Sequence, residues 1–224
     1  MNQRMTERNL INALQTQGLR LTRPDQRHVS RRGGAGPTDH QAVTIGDSTG
    51  MVPVFTEPAM QSPFVLDGQG GTTLMQETPE GLIPLADVSF ASDPAFYSRT
   101  TADGIPYQQI ATLHGKDVLA TTVLQTCIPY QSRKKTCQFC SIGQSLSAGR
   151  TIERKSPAQL AEVAKVAVEL DGVKHMVMTT GTPGTSDRGA AILCESVEAV
   201  KAAVDIPIQV QCEPPDNDAW FTRL

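Results

Sequence analysis

Three cysteines in one polar stretch carry the strongest chemical signal in this sequence. Cys127, Cys137 and Cys140 stand in TCIPYQSRKKTCQFCSIG, with nine residues between the first two and two between the last two. A Cys-x-x-Cys pair in a loop lets two thiolates reach one metal centre, and thiolates select zinc, cuprous copper or iron–sulfur clusters over hard ions. The basic residues at 133–135 favour the thiolate over the thiol. The loop is therefore predicted to hold a metal or a cluster.

The number of ligands separates several kinds of site. A four-iron cluster held by protein alone needs four cysteines, and this loop supplies three. Three protein ligands with one open position are typical of a site that binds a substrate or cofactor directly. A structural zinc site, with His114 or His175 as the fourth ligand, is an alternative. A thioredoxin-like pair at Cys137 and Cys140 is another, and inert buried thiols are a third, which the polarity of the loop opposes.

The remaining candidate ligands are less informative. The chain has five cysteines and no visible export signal, which argues against a disulfide scaffold. Cys194 is expected in the core of a helix. Cys212 is expected at the end of a strand facing the site, as either a small buried residue or a functional one. His40 beside Asp39 is either a metal pair or, as we expect, an exposed loop histidine.

Composition excludes several classes of partner. Aromatic residues make up only 4% of the 224 residues, too few for a surface that stacks single-stranded nucleic acid, and a net charge of −3 gives no basic footprint. No apolar run approaches the roughly 18 residues of a membrane-spanning helix. The first ten residues, MNQRMTERNL, lack the apolar core of a secretory signal. We expect a soluble, cytoplasmic protein that binds neither nucleic acid nor membrane.

Three βα units are predicted to position the cysteine loop. Apolar strands are expected at 118–124, 175–180 and 206–212, and helices at 156–171, at 190–204 and from about 216 onward. The first helix begins strongly, because Ser156 can cap it, Pro157 suits its first position and Gln159 can close a capping box. Gly172 stands where helices commonly end.

Parallel strands bring their carboxyl ends to one edge of a sheet, where α/β proteins carry their function. Three segments lie at those ends: the cysteine loop, GTPGTSDRG and CEPP. We expect them to converge. Within the second segment, Asp187 and Arg188 are predicted to cap the second helix and to face solvent.

Upstream of these units the chain changes character twice. Residues 1–33 are predicted to form an amphipathic helix, at 6–19, and a basic linker, which is either a solvated connection or a patch for an acidic partner. Residues 34–115 alternate short apolar runs with Gly, Pro, Asp and Ser, the pattern of a small β-rich domain without a long helix. Residues 116–224 carry the βα units.

The cysteine loop also resembles that of a known family. A loop after the first strand of a βα series that ends in Cys137-Gln138-Phe139-Cys140 is similar to the Cys-x-aromatic-Cys ending of the radical S-adenosylmethionine (SAM) superfamily. The usual spacing has three residues between the first two cysteines, whereas this chain has nine. TCQFCSIG and TTGTPGTSDRGA look most similar to the lipoyl synthase and biotin synthase branch. Most of the chain resembles a bacterial family of unassigned substrate that is encoded near a nitrilase.

The resemblance implies a cofactor set and its ligands. The three cysteines of the loop would ligate three irons of a 4Fe-4S cluster, and the amino and carboxylate groups of SAM would chelate the fourth. Phe139 would pack near the cluster and the adenine, and Glu213 would touch SAM or substrate. Backbone and hydroxyl groups would be presented to the SAM amino group by Thr179, Thr180, Gly181 and Thr182. From the residues alone, that segment is equally a good turn and Glu213 equally an exposed loop carboxylate.

The implied reaction is reductive cleavage of SAM. It yields methionine and a 5′-deoxyadenosyl radical, which abstracts hydrogen from an unidentified small-molecule substrate, with electrons from an external flavodoxin- or ferredoxin-type donor. The implied fold is α/β, a partial (βα) radical SAM barrel of about three units of six behind the small β-rich domain. Such a half-barrel, truncated at its carboxyl end, is expected to be weakly stable and to turn over little alone. The alternative function is a non-catalytic binding module stabilised by zinc or a cluster.

Overall fold

The computed structural model describes residues 6–22, 40–66, 72–90, 93–132 and 135–224. The chain has a mixed α/β fold with three sheets among these residues. It divides into two compact units, one formed by described residues up to Asp93 and the other by Pro94–Leu224. Residues 94–115, which the sequence assigned to the β-rich domain, thus lie in the second unit. Most of the predicted basic linker lies outside the described residues.

The first unit joins the predicted amino-terminal helix and short strands in one hydrophobic core. Helix α1 is capped by the Thr6 hydroxyl and buries Leu10, Ile11 and Leu14. His40 begins a strand, so the prediction that it is a loop histidine is wrong; Asp39 lies outside the described residues. The elements are α1 (Glu7–Gln17), β1 (Arg20–Leu21), β2 (His40–Ile45), β3 (Ser48–Pro53), α2 (Glu57–Met60), β4 (Phe64–Leu66), β5 (Thr73–Thr78), β6 (Gly81–Asp87) and β7 (Ser89–Phe90). The described strands form two sheets, in the orders β1-β4-β5-β6 and β3-β2-β7.

The second unit contains the predicted alternation of strands and helices. It begins with a short 3-10 helix at Ala95–Ser98. The elements that follow are α3 (Tyr107–Ile110), β8 (Thr112–His114), β9 (Val118–Thr122), α4 (Ile128–Gln131), α5 (Ile142–Ser147), α6 (Pro157–Asp171), β10 (His175–Thr179), α7 (Ala190–Ala203), β11 (Ile208–Gln211) and α8 (Ala219–Arg223). Their strands form one sheet in the order β11-β10-β9-β8. Strands β9, β10 and β11 are parallel, and β8 pairs with β9 in the antiparallel sense.

The two faces of this sheet differ in character. Leu119, Met176 and Ile208 align across the three parallel strands and belong to the core beneath the helices. On the opposite face, Thr179 aligns with Thr122 and Gln211 at the carboxyl end of the strands. Alternation along each strand separates these two sets because neighbouring side chains point to opposite faces. One face is therefore apolar and covered, and the other carries a polar row.

Helices α6 and α7 cover the same face of the sheet. They pack against each other, and their buried side chains share one core with β9 and β10. The capping box at the start of α6 is confirmed, since Ser156 and Gln159 exchange hydrogen bonds. Gly172 ends the helix with φ of 65° and ψ of 32°, in the left-handed region. Among the described residues, no helix combines the length and apolar character that a membrane crossing requires.

The capping box gives a first test of this unit. We expect Ser156→Ala to lower the free energy of unfolding by about 1 kcal/mol, because the Gln159 amide loses its acceptor at the helix start. Ser147→Ala, at the exposed end of α5, is the matched control and should change stability by less than about 0.5 kcal/mol. Urea denaturation measures both values. Equal effects of the two substitutions would contradict a stabilising capping box.

Candidate functional site

The cysteine loop, defined as residues 126–141, leaves the sheet at the carboxyl end of β9 and returns at α5. Cys127 precedes α4 and is partly buried, as is Cys140, whereas Cys137 is exposed. The backbone N–H of Cys140 donates to the Cys137 carbonyl over 3.3 Å, which closes the Cys-x-x-Cys turn. The loop thus has two cysteines near its anchored ends and one in solvent.

The three thiols of the loop influence one another. The pKa of Cys140 is raised above its ordinary value, first by partial burial and further by negative charge on Cys127 and Cys137, while a hydrogen bond from the Ile142 N–H opposes the rise. Charges act over several ångströms, so this influence does not require contact between the sulfurs. Within the described ranges, no three Cys, His, Asp or Glu side chains are already gathered around one point. The three thiols share one loop but do not form a finished ligand set.

The predicted effect of basic charge on the thiols stays a prediction, because two of the three basic residues lie outside the described part of the chain. We expected the basic run at 133–135 to favour the thiolate. Lys135 is exposed, and residues 133 and 134 lie outside the described part of the chain. At Cys140, burial and the neighbouring thiolates act in the opposite direction and raise the pKa. A bound cation that neutralised the sulfurs would reverse this effect.

A seam of backbone hydrogen bonds joins the cysteine loop to the segment after β10. Val123 N–H donates to Thr179 O over 2.8 Å, Gly181 N–H to Leu124 O over 2.8 Å, and Ile128 N–H to Thr182 O over 3.0 Å. The predicted convergence of these two strand ends is confirmed by the three bonds.

The same segment also reaches the end of β11. Thr180 N–H donates to Gln211 O over 3.3 Å, and the hydroxyls of Thr179 and Thr122 lie 2.9 Å apart. The backbone donors of Thr180 and Gly181 are thereby used within the chain. What this segment offers a ligand is therefore mainly hydroxyl and carbonyl groups at the carboxyl edge of the sheet.

Phe139 and Glu213 lie at the margins of this arrangement. Phe139 is 86% exposed at the tip of the Cys-x-x-Cys turn. Glu213 is exposed two residues beyond β11, and the structure gives it no hydrogen bond to another described residue. The seam brings together Cys127 and the segment 179–182, but it does not include these two side chains.

Asp187 and Arg188 stabilise the loop after β10 through different contacts, the first at the start of α7 and the second with the segment after β11. Partial burial raises the pKa of Asp187, but hydrogen bonds from Thr185 and from the backbone of Ala191 and Gly189 outweigh it and hold the pKa below its ordinary value. Asp187 therefore caps α7, as predicted. Arg188, predicted to help in that cap, instead pairs with Asp216 at 3.2 Å and joins this loop to the segment after β11.

The other predicted ligands lie away from the cysteine loop. His114 and His175 both align with Val118, at the amino end of β9, whereas Cys127 follows the carboxyl end. Four strand residues separate the two ends, roughly 13 Å. The prediction that either histidine completes a zinc site with the loop is therefore wrong.

Cys194 and Cys212 belong to the core. Cys194 is buried on α7, as expected, and Cys212 packs against the same core. The pKa of Cys212 is raised, first by burial and then by nearby Cys194 and Asp187. Because Gln211 lies on the polar face, Cys212 points the other way, and its predicted orientation toward the site is wrong.

One cation beneath the cysteine loop was missed by sequence reasoning. Lys155 is 2% exposed, and its Nζ donates to Thr122 O over 2.7 Å and to Thr151 Oγ1 over 2.8 Å. Burial lowers its pKa to about 7. In the sequence it stands in the polar run RTIERKSP directly before a helix cap, a position that normally faces solvent. Only the tertiary path of the chain places it inside.

The chemistry of the donor set fits a soft metal or an iron–sulfur cluster. Three thiols share one loop, and thiolates are the ligands that soft metals and iron–sulfur clusters prefer. Among the described residues, the histidines lie elsewhere. The loop thus supplies three soft ligands from the protein and leaves room for a non-protein fourth.

Gly181 allows the seam to form and gives a second test. A β-carbon at this position would lie 2.0 Å from the Thr126 carbonyl oxygen, which is backbone and cannot turn aside. We expect Gly181→Ala to lower the free energy of unfolding by about 3 kcal/mol. At Gly184 an added β-carbon meets only the end of the Ile128 side chain, at 3.1 Å, so Gly184→Ala should cost less than about 0.5 kcal/mol. Thermal and urea denaturation compare the two, and equal stability of both variants would contradict the close approach.

The buried lysine predicts a pH dependence of stability. The unfolded side chain keeps its ordinary pKa of 10.5 against about 7 in the fold, so between these values the unfolded state holds more protons and the free energy of unfolding rises with pH. Between pH 7 and pH 9 we expect wild type to gain about 1–2 kcal/mol relative to Lys155→Met. Thiol ionisation cancels in this difference because both proteins keep the same cysteines. Urea denaturation at the two pH values measures the gain, and a difference that stays flat would contradict burial of the amine.

Comparisons with protein-family models, with curated proteins and with solved structures find no match to this chain. The function of the site therefore has to be argued from its own residues and contacts.

Proposed function

We propose that this chain is a radical SAM enzyme, or the cluster-bearing part of one, which uses a 4Fe-4S cluster to cleave SAM. The observation that carries the proposal is the cysteine loop itself: it carries three free thiols, lies at the carboxyl edge of a parallel sheet and is joined by backbone hydrogen bonds to the next strand end. Ligands of α/β proteins bind at this edge. The donor set is soft and stops at three, as an open cluster site requires.

The winding of the second unit supports the finer part of the fold proposal, the partial (βα) barrel. Strands β9, β10 and β11 are neighbours in chain order, and both connecting helices cover one face. A doubly wound sheet would reverse its strand order and carry helices on both faces. The sequential order and the polar row on the face opposite the helices, from Thr122 to Gln211, are typical of a barrel segment whose inner face receives a ligand.

Each proposed ligand has a defined task. Cys127, Cys137 and Cys140 would hold the cluster, which when bound and reduced supplies the electron that cleaves SAM to methionine and a 5′-deoxyadenosyl radical. Phe139, exposed beside two of these cysteines, would cover the bound cofactors and exclude water.

The segment after β10 would orient SAM beside the loop. Thr179, Thr180 and Thr182 carry the hydroxyl and carbonyl groups of this segment, and Gly181 permits its close approach to residue 126. Glu213, exposed beyond β11, would contact SAM or the substrate. Because Cys137 lies in solvent, an external flavodoxin- or ferredoxin-type donor could approach the site from this side.

The alternative, a zinc-stabilised module without catalysis, has lost its expected fourth ligand. Structural zinc is almost always held by four protein ligands. His114 and His175 lie at the far end of β9, so the loop offers three. This arrangement favours a site that binds a small molecule at its open position.

Anaerobic reconstitution with iron and sulfide tests the proposal. We expect the reduced protein to give an electron paramagnetic resonance signal of a 4Fe-4S cluster that shifts when SAM is added, because SAM occupies the open iron. Cys137→Ala should abolish the signal with little effect on folding, since this residue is exposed. Tight binding of one zinc ion without a SAM-sensitive signal would refute the enzyme proposal.

Cys194→Ala is the matched control for that experiment. This cysteine lies in the core of α7, away from the loop, so its loss should leave the signal and the response to SAM unchanged. Loss of the signal in both variants would show that it reports general damage to the fold and not ligation by the loop.

A further inference from the structure

Gln125 and Ile142 form the neck of the cysteine loop, the place where the loop leaves and rejoins the folded unit. Two buried polar side chains, Gln125 and Lys155, meet there. Gln125 is 1% exposed and Ile142 is 3% exposed, and the loop departs and returns between them. The Gln125 amide nitrogen donates to the Ile142 carbonyl over 3.2 Å. This bond joins the two ends of the loop that carries all three candidate ligands.

Lys155 lies beneath the neck and contacts the other end of the same amide. Its Nζ is 3.5 Å from Gln125 Oε1, and it also donates to Thr122 O and Thr151 Oγ1. These partners are neutral oxygens, and no described carboxylate pairs with this lysine. An unpaired buried ammonium is costly, and an apolar side chain of the same length would fill the space without that cost. Such a residue is expected to serve a purpose beyond packing.

The lysine determines which way the glutamine amide points. The Lys155 Nζ donates to Gln125 Oε1 and so holds this oxygen toward itself. The amide nitrogen is thereby turned to the Ile142 carbonyl. Without this donor, the amide could rotate and present an oxygen to that carbonyl, which would repel it.

From Ile142 the chain of contacts reaches a candidate ligand. Ile142 stands only two residues after Cys140, so a bond that holds the Ile142 carbonyl also restrains the backbone that carries this candidate ligand. The order is therefore Lys155 to Gln125, Gln125 to Ile142, and from Ile142 along the backbone to Cys140. Each member is buried or partly buried, so water competes weakly for the bonds.

We propose that Lys155 and Gln125 form a clasp that positions Cys140 for metal binding by closing the neck of the cysteine loop. Only the kind of metal group that the clasp would serve rests on the proposed function; the clasp itself does not. It is a positioning device, since neither side chain touches the ligand sulfur.

Amide hydrogen exchange of the metal-free protein tests the clasp without any cluster. In Lys155→Met and Gln125→Met we expect exchange at residues 141–147 to be roughly tenfold faster, the factor expected when one buried hydrogen bond is lost. Exchange in the body of α6 should stay as in wild type. Because the two side chains act through one another, the double variant should exchange no faster than either single variant.

Two control variants separate the clasp from general destabilisation. Lys165→Met removes a lysine from the exposed surface of α6, and Tyr107→Phe removes a 2.9 Å hydrogen bond to Glu162 elsewhere in the unit. Neither should alter exchange at 141–147. Acceleration spread evenly over α6 and β10 in the Lys155 and Gln125 variants would overturn the proposal, as would unchanged exchange at the neck.

The iron-loaded protein supplies a second readout. We expect a chelator to remove iron at least tenfold faster from Lys155→Met and Gln125→Met than from wild type or Lys165→Met, because Cys140 is no longer held. If wild type assembles no cluster, the proposed function fails while amide exchange still tests the clasp. If wild type holds its cluster and both variants hold it equally well, the clasp is wrong and the proposed function stands.

Discussion

The backbone beyond β9 must satisfy its polar groups in a buried place while it carries the chain to the cysteines. Residues 123–125 no longer belong to the regular strand, yet Val123 and Gln125 are buried. Their backbone groups are paired on both sides. On one side, Lys155 N–H donates to Val123 O and Gln125 N–H donates to Glu153 O; on the other, Val123 N–H and Leu124 O pair with the segment 179–182. Unpaired backbone groups at this depth would cost about 1–3 kcal/mol each. The position of Cys127 and the approach of the segment after β10 both follow from this requirement.

Electrostatics add a second condition at the same place. Partial burial raises the pKa of Cys140, and negative charge on the other two cysteines of the loop adds to the rise. Lys155 is buried beneath the loop, and its hydrogen bonds tie it to β9 and to Gln125. A metal ion bound by the thiolates would offset their negative charge directly.

The parts of the fold that depend on local chemistry were predictable from the sequence. The capping box at Ser156 and the left-handed glycine at 172 depend on residues within one helix, and the structure confirms both. The meeting of the cysteine loop with the segment after β10 was also predictable, because parallel strands bring their carboxyl ends to one edge. That inference needs only the order of strands and helices.

The errors arose where burial depends on distant segments. Nothing local distinguishes Lys155 from an exposed lysine before a helix cap, and its burial depends on the path of residues 122–125. His175 was considered a zinc ligand although it begins β10 while the cysteines follow the end of β9, a distinction that requires the strand register. Cys212 was assigned to the wrong face because its orientation depends on the exact end of β11.

The unequal anchoring of the three cysteines indicates how a metal site would form. Cys127 directly precedes Ile128, which is held in the seam, and Cys140 stands two residues before the buried Ile142, whereas Cys137 is exposed. The two anchored backbone positions define where a metal would bind, and Cys137 must then turn inward to reach it. Metal binding would therefore complete the folding of the loop, since the ligand set is not already gathered among the described residues. A loop with nine residues between its first two cysteines has the length for this movement, and among its described residues the backbone bonds to the strand-end segments lie near its ends.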